Sequence, residues 1–273
     1  MMTATESSPG CVLVLFDASP GSQVALDRAR PLAARLGRTL KVLFVEDDNW
    51  LRGSRFAFSA EVGAASGRIS RLDPEQAKAR LDCQRRRVEM ALSVQVMTAG
   101  LDVQRGSLAV ALQRLEQPVD IAIAGLVGYG GGLGRRLGRS AWALASGSTR
   151  QVLLAAAGAG RTGPVVALIE QPASLETVLE SGILSAEAAD ARLDVLVSGG
   201  AELAAQAGRW LGQRLSKPDA WRLTTLACSD WPTLCAELKR RSARELVLSR
   251  RGDVMRDAPT KTLPGDLSLW VVT

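Results

Sequence analysis

The residues of this chain best suited to hold a ligand are glycines. Gly125, Gly128 and Gly138 lie in the run Gly125-Leu-Val-Gly128-Tyr-Gly-Gly-Gly-Leu-Gly-Arg-Arg-Leu-Gly138-Arg139-Ser140. An apolar run, Val119–Ala124, precedes it, and a helix-like stretch, Ala141–Ala145, follows. A strand, a glycine loop and a helix start bring backbone N–H groups close to an anion, with the positive end of the helix dipole behind them. Arg135 and Arg136 favour an anion further. A flexible glycine turn without a ligand is the other reading of the same composition. A second candidate group is Asp17, at the end of the apolar run Cys11–Phe16, where a carboxylate can accept a hydrogen bond from a sugar hydroxyl.

Other chemistries are excluded. The chain contains no histidine, so Ser-His-Asp and Cys-His catalysis and His-ligated metals are ruled out for this chain alone. Cys11, Cys83, Cys228 and Cys235 form no CxxC pair and read as reduced thiols, Cys11 as a core residue. No carboxylate cluster suggests a metal, so neither a catalytic residue nor a metal ligand is assigned. Residues 1–157 carry 20 basic and 14 acidic side chains, and residues 158–273 carry 14 of each. The whole net charge of +6 therefore sits in the part with the glycine loop. With one Tyr and four Phe, and no recognisable motif, nucleic acid is not an expected partner. Residues 1–10 read as a short tail without a signal peptide, and apolar stretches fall short of the ~18 residues of a span. A cytoplasmic location without a membrane partner is expected.

The elements that must position these groups alternate. A strand over Cys11–Phe16 leads to a helix from about Ser22 to Leu36. Its inner face is Ala25, Ala29, Leu32, Ala33 and Leu36, Gly37 ends it, and Pro31 should kink or loosen it. Leu40–Val45 is the next strand, Asp73–Ala99 a long charged helix, and Leu101–Arg105 a short strand. A helix near Ser107–Glu116, the Val119–Ala124 strand, a helix to about Gly147 and the strand Gln151–Ala155 complete the set. Strands alternating with helices imply a parallel sheet covered on both faces. After a small-residue linker, Ala156–Gly163, the pattern restarts. Pro164–Glu170 matches Cys11–Asp17, and Leu193–Val197 matches Leu40–Phe44, at one constant offset, which argues for an internal duplication. Arg244–Leu248 matches Val119–Ile123, placing Arg250 opposite Gly125 and Asp253 opposite Gly128. The segment Arg251–Asp266 shows no helix pattern, and Ser268–Val272 is the last strand. Residues 47–72, with Trp50, Phe56 and Phe58, fit no repeat and read first as a packed loop, second as a cover for the site or a partner surface.

Two common phosphate loops are absent: no GxxxxGK[ST] occurs, and no GxGxxG follows the first strand. The spacing that fits is G-x2-G-x9-G at Gly125, Gly128 and Gly138. With Asp17 and the order of elements, this resembles the ATP-binding branch of the universal stress protein family, clearly over about residues 11–156 and beyond them only as a strand and helix pattern. The resemblance implies an α/β fold of two adenine-nucleotide-alpha-hydrolase-like domains, 1–157 and 164–273. Each would be a five-stranded parallel sheet of order 3-2-1-4-5 flanked by helices. It implies ATP or AMP, with or without magnesium, in the first domain. Asp17 would hold ribose or adenine, and the backbone at Leu15 and Val45 would line the base. Gly125 and Gly128 would pass close to ribose and phosphates, and Gly138, Arg139 and Ser140 would receive the phosphates. The family has Ser or Thr directly after the third glycine. Here that place is Arg139, which either supplies a charge-assisted contact or fills the phosphate site.

The resemblance also implies that Gln151–Ala155 and Ser268–Val272 pair, making an intrachain pseudo-dimer, with a homodimer as a further option. The second domain is expected to bind no nucleotide, because Arg250 and Asp253 would obstruct it. The expected role is stress response or signalling, with at most slow ATP hydrolysis. The rival is a ligand-free interaction scaffold that docks partners through residues 47–72. A pyrophosphatase of the related fold is disfavoured, because Asp17–Ser22 lacks an SGGxDS string.

Overall fold

The computed structural model describes residues 10–46, 49–56, 58, 60–62, 67, 69–71, 73–93, 101–106, 108–115, 118–126, 144–145, 151–157, 162–226, 230–257 and 267–273. Strand β1 (Cys11–Leu15) leads into helix α1 (Pro20–Leu36), then β2 (Thr39–Glu46). Helix α2 (Asn49–Ser54), the short strands β3 (Ala60–Val62) and β4 (Ile69–Arg71), and helix α3 (Pro74–Ser93) come next. They are followed by β5 (Leu101–Arg105), α4 (Leu108–Gln113), β6 (Val119–Gly125) and β7 (Gln151–Ala155). The chain goes on through β8 (Val165–Ile169), α5 (Leu175–Ala188), β9 (Leu193–Val197), α6 (Gly200–Arg214) and β10 (Trp221–Thr225). It closes with α7 (Trp231–Arg240), β11 (Glu245–Ser249), α8 (Asp253–Asp257) and β12 (Ser268–Val272).

Ten strands form one sheet in the order β10-β9-β8-β11-β12-β7-β6-β1-β2-β5, with the expected pairing of Gln151–Ala155 and Ser268–Val272 at its middle. All neighbours are parallel except β7 and β12, which run antiparallel with Trp270 opposite Leu153. The sheet is continuous because Gln151–Ala155 and Ser268–Val272 are apolar and almost wholly buried, so each covers the edge the other would expose. Trp270 is fully buried there, and its Nε1 donates to Gln151 Oε1 at 3.1 Å.

Alternate strand residues feed two cores, as a period of two requires. Val12, Val14 and Phe16 share one face with Val165, Ala167 and Ile169, under α1, α3, α5 and α6. Val152, Leu154, Leu246 and Leu248 share the other, under Leu234 and Leu238 of α7 and Val254 and Met255 of α8. Leu13 and Leu43 lie on Ala111 of α4. Helix α1 starts at a Ser19 cap, whose hydroxyl accepts from Ser22 N at 3.2 Å, and continues through Pro31. It stops at Gly37, which adopts the left-handed conformation at φ 61°. An ion pair ties α1 across the seam: half-buried Arg28 pairs with buried Glu245 of β11, which is also bonded by Ser185 of α5. Arg35 bonds Glu187 at 3.0 Å.

The segment expected to lack a helix carries α8, five residues long and too short to show a periodicity. Residues 47–72 also depart from a packed loop. They contain α2 and an antiparallel β3–β4 pair separate from the main sheet. The expected helix over Ala141–Gly147 falls mostly outside the described residues, where only Leu144 and Ala145 are placed, both helical and buried.

Candidate functional site

In an open parallel sheet, the crevice lies beyond the carboxyl ends of the strands, where the chain leaves for opposite faces. In this sheet β1 lies between β2 and β6. Leu13 of β1 is opposite Ala122 of β6, and Leu15 is opposite Leu43 of β2. Asp17, two residues past Leu15, and Gly125, the last residue of β6, therefore flank the exit of β1. Leu15 and Val45 are half-buried at the ends of their strands. The structure thus brings Leu15, Asp17, Val45 and Gly125 to one end of three adjacent strands. Gly128, Gly138, Arg139 and Ser140 lie outside the described residues.

The local chain explains this end. Ala18 takes a left-handed φ of 58°, turning the backbone sharply so that Ser19 can cap α1. Asp17 Oδ1 accepts from Ser19 N at 3.0 Å, which fixes the carboxylate against the turn. No acidic residue lies in the first turn of α1, so the helix's own side chains leave its positive end uncompensated. Gly125 meets that turn directly. A Cβ at 125 would lie 2.7 Å from Gly21 C and 3.0 Å from both Gly21 Cα and Ser22 N. The glycine at 125 is thus required by helix packing, a role its place in a glycine-rich run did not reveal.

The other half of the sheet repeats the layout with different residues. Sheet register corrects the correspondence read from the sequence by one position. Gly125 lies opposite Ala155, and Ser249 lies opposite Val272. Past the strands, Leu126 N donates to Ala155 O at 2.7 Å and Arg250 N to Val272 O at 2.6 Å. Ser249 therefore stands where Gly125 stands, and Arg250 where Leu126 stands. The one-residue slip comes from an irregularity between Cys11 and Val12, across which the partner advances from Val119 to Ile121.

Glu170 holds the place of Asp17, past the end of β8. Its Oε1 accepts from Val254 N at 3.2 Å, and its Oε2 presses on Gly252, where a side-chain carbon would collide with it. That oxygen is buried without a hydrogen-bond partner among the described residues. Burial pushes the Glu170 carboxyl up from its usual range. The longer Glu170 side chain reaches Gly252 and the start of α8, whereas the shorter Asp17 is held back on Ser19. Beyond the crevice, Glu46 at the end of β2 pairs with Arg105 at 2.6 Å. Among the described residues no group of acidic, Cys or His side chains could hold a metal ion. No helix there is long and apolar enough to cross a membrane. Cys11, Cys83 and Cys235 form no disulfide, and Cys11 is buried as expected.

No family model matches this sequence, and no curated protein matches it. The fold does have solved counterparts. A universal stress protein from Archaeoglobus fulgidus DSM 4304 superposes with a TM-score of 0.62 at 11% identity, covering 96% of this chain and 98% of that one. A functionally unknown protein from Pseudomonas aeruginosa PAO1 gives 0.60 at 14%, covering 96% and 92%. The cytoplasmic domain of a prokaryotic cation chloride cotransporter gives 0.50 at 14%, covering 97% and 95%. The chain has a universal stress protein-like α/β fold with a mostly parallel sheet.

Proposed function

We propose that this protein binds ATP or a related adenine nucleotide, AMP included, at the crevice beyond β1 and β6, and serves in stress response or signalling. The observation that carries the reading is Asp17 and Gly125 flanking the exit of β1, beside the N-terminal end of α1, whose first turn carries no acidic residue. There a carboxylate can hold a ribose hydroxyl while the helix end favours phosphate. Gly128, Gly138, Arg139 and Ser140 supply the rest of the phosphate contacts in this reading, with or without magnesium. Residues 1–157 and 164–273 are read as duplicated domains of strand order 3-2-1-4-5, with β7 and β12 as their pseudo-dimer seam. The second domain binds no nucleotide because Glu170 reaches Gly252 and the start of α8. Turnover is at most slow, since no histidine supplies a base, and the place of work is the cytoplasm.

The test is identification by mass spectrometry of small molecules released from the purified protein, followed by calorimetric titration of ATP. About one nucleotide per chain, weakened by Asp17→Ala and by Gly128→Val, is the expected result. Absence of both a bound nucleotide and a heat of binding refutes the reading. The rival, a ligand-free interaction scaffold, gains support from the exposed aromatics of residues 49–71 and predicts that second outcome.

A further inference from the structure

We propose that Glu46 positions the end of β2 that reads the base, and so sets the preference of the crevice for adenine over guanine. This rests on the nucleotide reading above and adds a residue which that reading does not use. Strand β2 outruns its neighbour. Leu15, the last residue of β1, is opposite Leu43, and β2 continues through Phe44 and Val45 to Glu46. Phe16 N donates to Leu43 O at 3.0 Å, so Leu43 turns its backbone groups toward β1. Those groups alternate sides along a strand, and Val45, two residues on, turns its amide and carbonyl the same way. There β1 has ended, and no backbone hydrogen bond from the described residues reaches them on that side. A donor and an acceptor are thus presented at the exit of β1. Adenine offers its N6 amino donor beside a ring-nitrogen acceptor, which matches that pair. Guanine carries O6 in place of the amino group, which would set acceptor against acceptor at the Val45 carbonyl.

The overhang is held from its other side. Strand β5, at the edge of the sheet, pairs with Val42–Glu46 and sets Glu46 opposite Arg105. Gly106 N donates to Glu46 O at 3.1 Å. The Glu46 carboxylate is buried, accepts from Arg105 Nε at 2.6 Å and lies 3.8 Å from Arg85 of α3. A buried carboxylate is tolerated when paired, so these contacts tie the end of β2 to β5 and α3. The period of two puts the Glu46 side chain on the face of Phe44, opposite to Val45, which packs with Leu13 and Leu43. Glu46 is therefore a positioning residue: it fixes the Val45 backbone from behind and does not touch the base.

The experiment is calorimetric titration of the full chain, freed of bound nucleotide, with ATP and with GTP. The parent should prefer ATP. Glu46→Ala should lower ATP affinity about five- to tenfold and leave GTP affinity nearly unchanged, the loss of one well-aligned hydrogen bond. Arg105→Met, at an exposed side chain, should narrow the preference in the same way. The double variant should lose no more than either single change, because the pair acts as one unit. Glu46→Gln keeps an acceptor for Arg105 Nε and should retain most of the preference. Glu180→Gln, in a surface pair with Arg214 of α6, should retain all of it. Thermal melts establish that each variant is folded, and Arg105→Met carries the test if Glu46→Ala is not. Equal loss of ATP and GTP affinity would make Glu46 a structural residue and overturn the proposal. An unchanged preference in the folded variants, or a parent that binds ATP and GTP alike, would overturn it too. A parent that binds neither nucleotide overturns the nucleotide reading and this inference with it.

Discussion

Gly125 offers a sharp test of the geometry around the crevice, because alanine there adds one carbon and no polarity. That carbon would stand 2.7 Å from Gly21 C, whereas ordinary contact begins at 3.4 Å. The first turn of α1 must therefore withdraw by ~0.7 Å. All three atoms it meets are backbone, so no rotamer change can relieve the contact. The turn is also braced: Ser22 N donates to Ser19 Oγ, and Ser22 Oγ donates to Ser19 O at 3.0 Å. Overpacking of this kind costs roughly 1–3 kcal/mol. At about 2–4 °C per kcal/mol, the melting temperature should fall by about 2–12 °C. Gly208 is the matched control. It lies inside α6 with nothing within 4 Å of a Cβ, so Gly208→Ala should stabilise by roughly 0.5–1 kcal/mol. The two variants should thus move thermal and urea unfolding in opposite directions. A Gly125→Ala protein melting at or above the parent would refute the close approach of α1 to β6. ATP titration of the same pair adds the functional part: affinity should fall for Gly125→Ala and hold for Gly208→Ala. Lost stability with undiminished affinity would assign Gly125 to helix packing alone.

Two further outcomes are expected. Arg28→Met strands Glu245, 1% exposed and left with Ser185, and should cost about 3–5 kcal/mol in urea unfolding, while the paired change with Glu245→Leu should recover most of it. Glu170→Gln keeps an oxygen for Val254 N and removes a buried charge. Burial makes the folded carboxyl hold its proton to higher pH than the unfolded one, so the parent loses stability as pH rises above about 4.5 through the folded value. The variant's advantage in melting temperature should be largest near neutral pH and should close as pH approaches 4.5.

The strands of the central sheet were legible wherever they are continuous apolar runs. Cys11–Leu15 and Val165–Ile169 announce burial on both faces. The edge strand β10, Trp221-Arg-Leu-Thr-Thr225, mixes polar residues into a half-exposed surface and left no such mark. The small strands β3 and β4 span three residues each, below the length at which alternation can be counted. Asp17 and Gly125 were readable because they end apolar runs. The contact of Glu170 with the start of α8 was not, because it depends on Val254 and Gly252, more than 80 residues away. The shift of Gly125's counterpart from Arg250 to Ser249 depends on a local irregularity of pairing. Arg28 and Glu245 lie 217 positions apart, and only the joined sheet brings them together.

The position of β12 bears on how the molecule is made. Residues 268–272 occupy the middle of the sheet, between β11 and β7. During synthesis, β7 leaves the ribosome long before β12, and at cellular elongation rates the gap is on the order of ten seconds. Throughout that interval the edge of β7 that faces β12 lacks its neighbour, leaving backbone amides and carbonyls without their sheet partners. Closure of the sheet is thus a late event, joined by the last strand described. Nascent chains of this protein have reason to need a chaperone during that wait, and an mRNA truncated before codon 268 would yield a product whose border never closes.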